Sequence, residues 1–236
     1  MTDSLDSLSP PRREAAVYEM SRGLAFIGFT RQVLEKKNAA ADPHAQRLYF
    51  QLPPPAGING VDRDLLVDID ETGVWMACCR RTRGHAPRGE SATTHSPYNV
   101  GKKYTVILAI DTGGLICYQI ADVKGTSGEM FLAFLTGGLM PCIEGTSRRL
   151  VMDNASSHKT DDVKRCIRAY GHGVTYRPPL SSDVLGSVEY AMNVIKAHLR
   201  RNSGSIDGNN LPDHIVAAVC SLTPEQCRGF FQHTGH

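Results

Sequence analysis

The sequence predicts an α/β fold: a mixed five-stranded sheet with helices on both faces, preceded by a short helical arm. After the proline-rich stretch at 53–57, segments with strand-like alternation are followed by segments with helical periodicity. The chain has 236 residues, of which 41% are hydrophobic, so it can bury the core of one large domain.

The N-terminal part of the chain is predicted to lie outside the sheet domain. Residues 1–11 are rich in Ser, Asp and Pro and are predicted to be disordered. Residues 12–57 are predicted to form a helical arm and linker, because apolar residues recur at helical spacing before the PPPAG loop. The sheet domain is expected to cover 58–236.

Three strands are predicted at the start of the sheet domain. The first is DLLVDID at 64–70, and residues 104–110 and 115–121 form a hairpin whose DTGG turn supplies glycines. Side chains of the first strand alternate between two faces, with Leu65, Val67 and Ile69 on one and Leu66, Asp68 and Asp70 on the other.

The rest of the domain alternates helices with single strands. Thr126 and Glu129 predict a capping box at the start of the first helix. Thr160 predicts the cap of a second helix. The buried face of that second helix is expected to hold Val163, Ile167 and Tyr170. Strands are predicted at 149–153 and 174–176, and a last long helix at 187–201. This order of elements fits the ribonuclease H-like architecture.

Composition argues against a secreted or membrane-spanning protein. The N-terminus lacks the apolar segment of a secretory signal, and apolar runs such as 106–110 are too short to cross a bilayer. The seven cysteines include no C-x-x-C pair, which suits neither a disulfide scaffold nor a zinc site. We therefore expect reduced thiols in an intracellular protein with no membrane partner.

The positive charge is concentrated in one segment, although the formal net charge is only +2. Between residues 72 and 103, Glu90 is the one acid. The basic residues of this segment are Arg80, Arg81, Arg83, Arg88, Lys102 and Lys103. Such a segment can contact nucleic-acid phosphates, and it can equally be a solvated loop.

Three acids lie where the predicted fold holds side chains rigidly. Asp70 ends the first strand, Asp153 ends the fourth, and Glu189 lies in the first turn of the last helix. Mg²⁺ or Mn²⁺ takes oxygen ligands, and two ions about 3.5–4 Å apart can assist an in-line phosphoryl displacement.

Each of these acids also has a simpler interpretation. An Asp at a strand end is often a solvated turn residue, and Asp68 shares the face of Asp70 and competes for its role. Glu189 can serve only to balance the helix dipole. Along its helix, however, Lys196 and Arg200 continue the polar stripe that Glu189 and Asn193 begin, as a DNA-facing surface would.

Three segments resemble the catalytic blocks of mariner-superfamily DDE transposases. They are IDETGVW at 69–75, LVMDNASSH at 150–158 and YRPPLSSDVLGSVEYAMNVIKAHLRR at 176–201, where the family typically reads YLPPYSPDLNPIE before its helix. The resemblance implies that Asp70, Asp153 and Glu189 bind two divalent ions, with Asp70 preferred over Asp68. It also implies that His158 contacts DNA or orients a catalytic group, while a surface histidine capping the next helix remains an alternative.

By this resemblance the protein would cleave and join double-stranded DNA at transposon ends and target sites. It would act as a homodimer, in the nucleus of a eukaryote or in the cytoplasm otherwise. Ser182, Gly186 and Ser187 replace the family's Pro, Asn and Pro, which is expected to loosen the loop before Glu189. Residues 12–40 would retain only a remnant of a helix-turn-helix unit. The altered loop and the short arm leave one alternative, a DNA-binding descendant without catalysis. A second alternative, which shares the metal chemistry, is a nuclease acting on RNA or hybrids.

Overall fold

The computed structural model describes residues 18–20, 22–27, 41–80, 87, 91, 93, 101–181 and 185–236. The chain forms two compact units, Met1–Lys37 and Asn38–His236. In the first unit, residues 18–20 and 22–26 are helical, as the predicted arm requires there. The segment 1–11 and most of the predicted helix-turn-helix remnant lie outside the described residues.

Five strands form one mixed sheet within the described part of the second unit. Their order across the sheet is β3-β2-β1-β4-β5. Their bounds are β1 Leu66–Val74, β2 Tyr104–Asp111, β3 Gly114–Ala121, β4 Arg149–Met152 and β5 Gly173–Tyr176. β1 and β3 run antiparallel to β2, whereas β4 runs parallel to both β1 and β5. The predicted mixed five-stranded sheet is confirmed.

The helices of the second unit follow the predicted alternation. They are α1 Pro43–Gln51, α2 Met76–Cys79, α3 Gly128–Phe134, α4 Met140–Cys142, α5 Asp161–Ala169, α6 Ser187–Arg201, α7 Leu211–Cys220 and α8 Pro224–His233. A π-helical segment, Leu135–Leu139, joins α3 to α4, and 3₁₀ turns cover Arg63–Leu65 and Ser156–Lys159. Throughout the described ranges, every helix is too short or too polar to cross a membrane.

The two faces of β1 enter two separate hydrophobic cores. Val67 and Ile69 pack in one core with residues of α3, the π-helical segment, α4 and α5, such as Phe131. Leu66 packs in the other core with α6, α7 and α8, where Val188 is also buried. Period-two alternation along the strand therefore separates the cores, and helices cover both faces of the sheet as predicted.

Three local predictions were wrong. Leu65 lies in a 3₁₀ turn and is 42% exposed, so β1 begins at Leu66, two residues later than predicted, and it continues to Val74, four residues past Asp70, which was expected to end it. The cap of α3 is Ser127, whose Oγ accepts the N–H of Met130 at 3.1 Å, rather than Thr126. Tyr170 is exposed because it falls at the C-cap of α5, where the chain leaves the helix. Thr160 does cap α5 as predicted.

The second unit extends beyond the predicted elements at both of its ends. α7 and α8 follow α6, which was expected to be the last helix, and Thr223 opens α8 with a capping box completed by Gln226. At the other end, Tyr49 of α1 is buried in the α6 core, so α1 folds with the sheet although it was expected in the arm.

Candidate active site

The parallel pairing of β1 and β4 places two of the predicted acids side by side. Asp68 is opposite Val151 in the register, so Asp70 and Asp153, each two residues further along, reach the same level of the sheet. Glu189 lies in the first turn of α6, which packs on β1. The charges of Glu189 and Asp153 both raise the pKa of Asp70, which places the three predicted acids within electrostatic reach.

Asp70 is held deep at the inner side of this site. The residue is only 7% exposed. Oδ1 accepts the backbone N–H of Glu71 at 2.8 Å, and Oδ2 accepts from Nη2 of Arg177 at 2.9 Å. Burial raises the pKa of Asp70 to about 7, because Arg177 only partly offsets it and Glu189 adds to it. A negative charge here is therefore incompletely compensated by the protein.

A buried ion pair between Asp68 and Arg177 fixes the position of Asp70. Arg177 is 1% exposed, and its Nη1 donates to Oδ1 of the fully buried Asp68. The other Asp68 oxygen accepts the backbone N–H of Val188 in α6 at 3.1 Å. Burial alone would lower the pKa of Arg177, but the charges of Asp68 and Asp70 outweigh it, so the pKa is raised. Both aspartates have a partner at each oxygen, but Asp68 is fully buried, whereas Asp70 keeps some exposure and feels the charges of Glu189 and Asp153, so the geometry favours Asp70 as the ligand.

Arg177 is the site residue that sequence reasoning missed. It lies in YRPP, where the family pattern quoted above has leucine before the two prolines. A signal was available, because a charged residue replacing this leucine needs a counter-charge when it is buried, and Asp68 was already predicted on the same strand face as Leu66. The pair connects residues 109 positions apart, so local periodicity does not reveal it.

Asp153 occupies the more open side of the site. Its side chain is 36% exposed, and Oδ1 accepts the N–H of Ala155 at 3.0 Å. His158 Nδ1 lies 2.7 Å from the same oxygen, as an ion pair rather than an aligned hydrogen bond. Burial would raise the pKa of Asp153, but His158 and the Ala155 N–H lower it below its ordinary value.

His158 connects the first two sequence blocks, 69–75 and 150–158, and it lies on the face of β1 opposite to Asp70. It is fully buried beneath Phe131, with ring centroids 4.2 Å apart, and its Nε2 lies 3.0 Å from Glu71 Oε2. Burial would lower the pKa of His158, but the contacts with Asp153 and Glu71 raise it to about 9, so the ring is protonated at neutral pH. The expected DNA contact does not fit this buried position, whereas an orienting role does.

The comparisons with known proteins identify the family. The model of the DDE superfamily endonuclease family matches residues 66–211, a range that includes all three acids. The chain belongs to this family. No curated protein matches the sequence. The DDE family predicted from the three sequence blocks is confirmed.

Solved structures of a mariner transposase share the fold of this DDE family member. The structure of a pre-cleavage Mos1 transpososome has a TM-score of 0.67 at 15% identity, covering 98% of this chain and 72% of that one. The Mos1 mariner paired end complex with Mn has a TM-score of 0.65 at 15% identity, with the same coverage. The catalytic domain of Mos1 mariner transposase has a TM-score of 0.57 at 14% identity, covering 86% of this chain and 93% of that one. The ribonuclease H-like transposase fold is confirmed.

The donor set of the site suits a hard divalent cation. Asp70, Asp153 and Glu189 supply carboxylate oxygens, and the repulsion that they exert at Asp70 is what a bound cation relieves. Within the described ranges, no three His, Cys, Asp or Glu side chains converge closely enough to hold an ion between them. The residues therefore fit a metal by chemistry, while Arg177 occupies one position on Asp70.

The start of α6 shows how this DDE family member replaces the prolines of its third block. Gly186 is the N-cap of α6, and Ser182 lies outside the described residues. Ser187 is fully buried, with Oγ 2.8 Å from Thr234 Oγ1 and 3.1 Å from His236 Nδ1. A polar anchor to the end of α8 thus holds the turn before Glu189, which the sequence predicted to be loosened.

The predicted DNA-binding residues fall into three groups. Lys102 pairs with Asp122 at 2.7 Å, and Lys103 lies 5.1 Å from the Trp75 ring, both beside an open cavity of about 510 Å³. Arg80 and Arg200 are exposed and Lys196 is partly exposed, with Lys196 and Arg200 on the polar stripe of α6. Arg81, Arg83 and Arg88 lie outside the described residues.

Proposed function

We propose that the protein is a divalent-metal-dependent enzyme that cleaves and joins DNA strands by in-line phosphoryl transfer. The observation that carries the proposal is the placement of Asp70 and Asp153 at one level of adjacent parallel strands, with Glu189 close enough to perturb Asp70. The structural neighbours include a transposase paired-end complex with a transposon end and paired end complexes with Mn and with Mg, which supports DNA and divalent metal as partners.

In this mechanism, Asp70, Asp153 and Glu189 would hold Mg²⁺ or Mn²⁺, most simply as two ions. Bound metal supplies activation of the attacking oxygen and stabilisation of the leaving oxygen. Arg177 fixes the side chain of Asp70, and His158 fixes that of Asp153. Such positioning matters because a misplacement of about 1 Å can reduce the rate roughly 100-fold.

The basic side chains around the site would bind the DNA backbone. Lys196 and Arg200 follow Glu189 along one polar stripe of α6, so a strand leaving the acids would meet their charges. We extend this role to Lys102 and Lys103 beside Trp75. Action as a homodimer, and in the nucleus of a eukaryotic host, belongs to the same proposal.

A second candidate function is DNA binding without catalysis. The observation that favours it is the hydrogen bond from Arg177 to Asp70, because an internal cation already compensates part of the charge that metal would neutralise. The two candidates share the fold and the affinity for DNA. They differ in whether the carboxylates hold a divalent ion and whether a strand is cut.

Nicking of supercoiled DNA in the presence of Mn²⁺ distinguishes the candidates. We expect the wild-type protein to nick duplex DNA, and Asp153→Ala to reduce the rate at least about 100-fold, as loss of a positioned catalytic group does. Asp162→Ala, which removes an exposed acid of α5, is the matched control and should retain the wild-type rate. Equal nicking by wild type and Asp153→Ala would reject the site. Preferential cleavage of RNA or hybrid duplexes would reject DNA as the substrate.

A further inference from the structure

A basic cavity lies at the opposite end of β4 from the proposed active site. It has a volume of about 350 Å³ and is lined by Arg149, Lys164, Arg168 and His172, together with apolar residues including Ile167. Arg149 begins β4, whereas Asp153 follows its end, so about 13 Å of extended chain separates the two. Among the described residues, no acidic side chain lines this cavity.

One wall of the cavity carries a buried donor that has no partner. His172 is 4% exposed, and its Nδ1 accepts the backbone N–H of Arg148 at 3.3 Å. The ring proton is therefore on Nε2. Within the described part of the chain, this Nε2 is buried without a hydrogen-bond partner. Because His172 lines the cavity, a small movement of its ring is enough to bring this donor to an acceptor bound there.

The neighbouring cations are arranged so that their charges remain available. Nη1 of Arg149 donates to the Val174 carbonyl at 3.3 Å, and a Cβ at Gly173 would overlap the Arg149 guanidinium. The glycine therefore keeps space for this guanidinium. Nε of Arg168 donates to the backbone carbonyl of Lys164 at 3.1 Å, and among the described residues this arginine has no acidic partner. Lys164 Nζ is 4.0 Å from a highly exposed carboxylate of Asp161, at the limit of an ion pair.

We propose that this cavity binds a backbone phosphate of DNA, away from the phosphate at which the strand is cut. Two guanidinium groups, an ammonium group and a neutral N–H donor match the oxygens of a phosphate, and the absence of a lining carboxylate removes competition. The identification of the anion as DNA rests on the proposed function. The cavity would hold the duplex in place while the acids act on another part of the same backbone.

The salt dependence of DNA binding tests this site, with two arginines of α5 compared in metal-free buffer. Arg168→Gln removes a cavity cation, whereas Arg165→Gln removes one charge from the same helix outside the cavity. Fluorescence anisotropy on a duplex gives the slope of log K against log salt concentration. We expect Arg168→Gln to make this slope shallower by about 0.9, the value of one phosphate contact, and Arg165→Gln to leave it unchanged.

The controls separate this proposal from the proposed function. Equal slopes for Arg168→Gln and Arg165→Gln, in a wild-type protein that binds and nicks DNA, would overturn the cavity alone. Wild-type protein without affinity for DNA would overturn both. Titration with inorganic phosphate, followed through the His172 ring resonances, gives a second measurement. Shifts in the wild type that are weakened in Arg168→Gln support the site, and unchanged resonances in the wild type contradict it.

Discussion

The two aspartates that β1 and β4 bring to one level of the sheet lie in contrasting surroundings. Asp70 is buried against an arginine, and burial raises its pKa to about 7. Asp153 is partly open to solvent beside a protonated histidine, and its pKa is lowered despite partial burial. Two carboxylates at one level of the sheet are thus shifted in opposite directions. Sequence position alone does not set the charge of a ligand, because the partner and the depth of burial decide it.

The supports of the two aspartates also differ in where they are anchored. Asp70 is tied through Arg177 and Asp68 to the backbone of α6, on the side of the C-terminal helices. Asp153 is tied through His158 to Glu71, on the other side of β1. Both networks therefore meet on one strand, from its two faces. Loss of the Arg177 network should therefore lower the free energy of unfolding more than loss of the His158 network.

The largest effect is expected from Arg177→Leu. This change leaves Asp68 and Asp70 buried without their cation and should lower the free energy of unfolding by about 3–5 kcal/mol, measured by urea denaturation. In Asp68→Leu/Arg177→Leu both charges of the internal pair are gone, so most of the stability should return. An equal loss of unfolding free energy in the single and double variants would contradict the view that the unpaired charge of Asp68 causes the instability.

A second effect concerns His236, which is buried beside Ser187 and Tyr49 on the Asp70 side. Burial lowers the pKa of His236 from 6.5 to about 4. Between these two pH values the unfolded chain therefore binds a proton that the folded chain does not bind. Stability from this group is present above pH 6.5 and is lost as the pH falls towards 4, by up to about 3 kcal/mol.

Urea denaturation of wild type and His236→Gln across this pH range measures that contribution. The difference in unfolding free energy between the two proteins should shift by this amount between pH 7 and pH 4, since the variant lacks the titrating ring. Parallel curves for the two proteins at all pH values would contradict the buried neutral state of His236.

A smaller effect is expected on the Asp153 side. His158→Leu removes the bridge between Glu71 and Asp153, but both carboxylates retain access to solvent, so the loss should be about 1–3 kcal/mol. Urea denaturation beside Arg177→Leu gives the direct comparison. Glu71→Gln, which keeps an acceptor for His158, should lose less. A His158→Leu loss that exceeds that of Arg177→Leu would reverse the ranking of the two networks.

Local patterns in the sequence were sufficient for much of the fold and of the site. Alternation along the first strand assigned the two faces of β1, with Leu66 in one core and Val67 and Ile69 in the other. Asp70 and Asp153 were identified from their predicted places at strand ends and from the resemblance to the catalytic blocks, although β1 continues past Asp70 to Val74. These features depend on residues that are near one another in the chain.

The parts that were missed depend on contacts between distant residues. Asp68 and Arg177 meet only after the sheet forms, and His158 is buried by Phe131 of a different helix. The polar anchor at Ser187 likewise requires α8 to return to the start of α6. By contrast, the capping signal of α8 at Thr223 was present in the sequence and was not used.

Calorimetric titration with Mn²⁺ tests most directly whether the three carboxylates act as one metal site. Wild-type protein should bind Mn²⁺, and Asp70→Asn, Asp153→Asn and Glu189→Gln should each weaken the affinity at least about tenfold, the equivalent of about 1.4 kcal/mol. Asp162→Asn should bind as the wild type does. Wild-type affinity in Glu189→Gln, or no binding by a folded wild-type protein, would contradict the shared site.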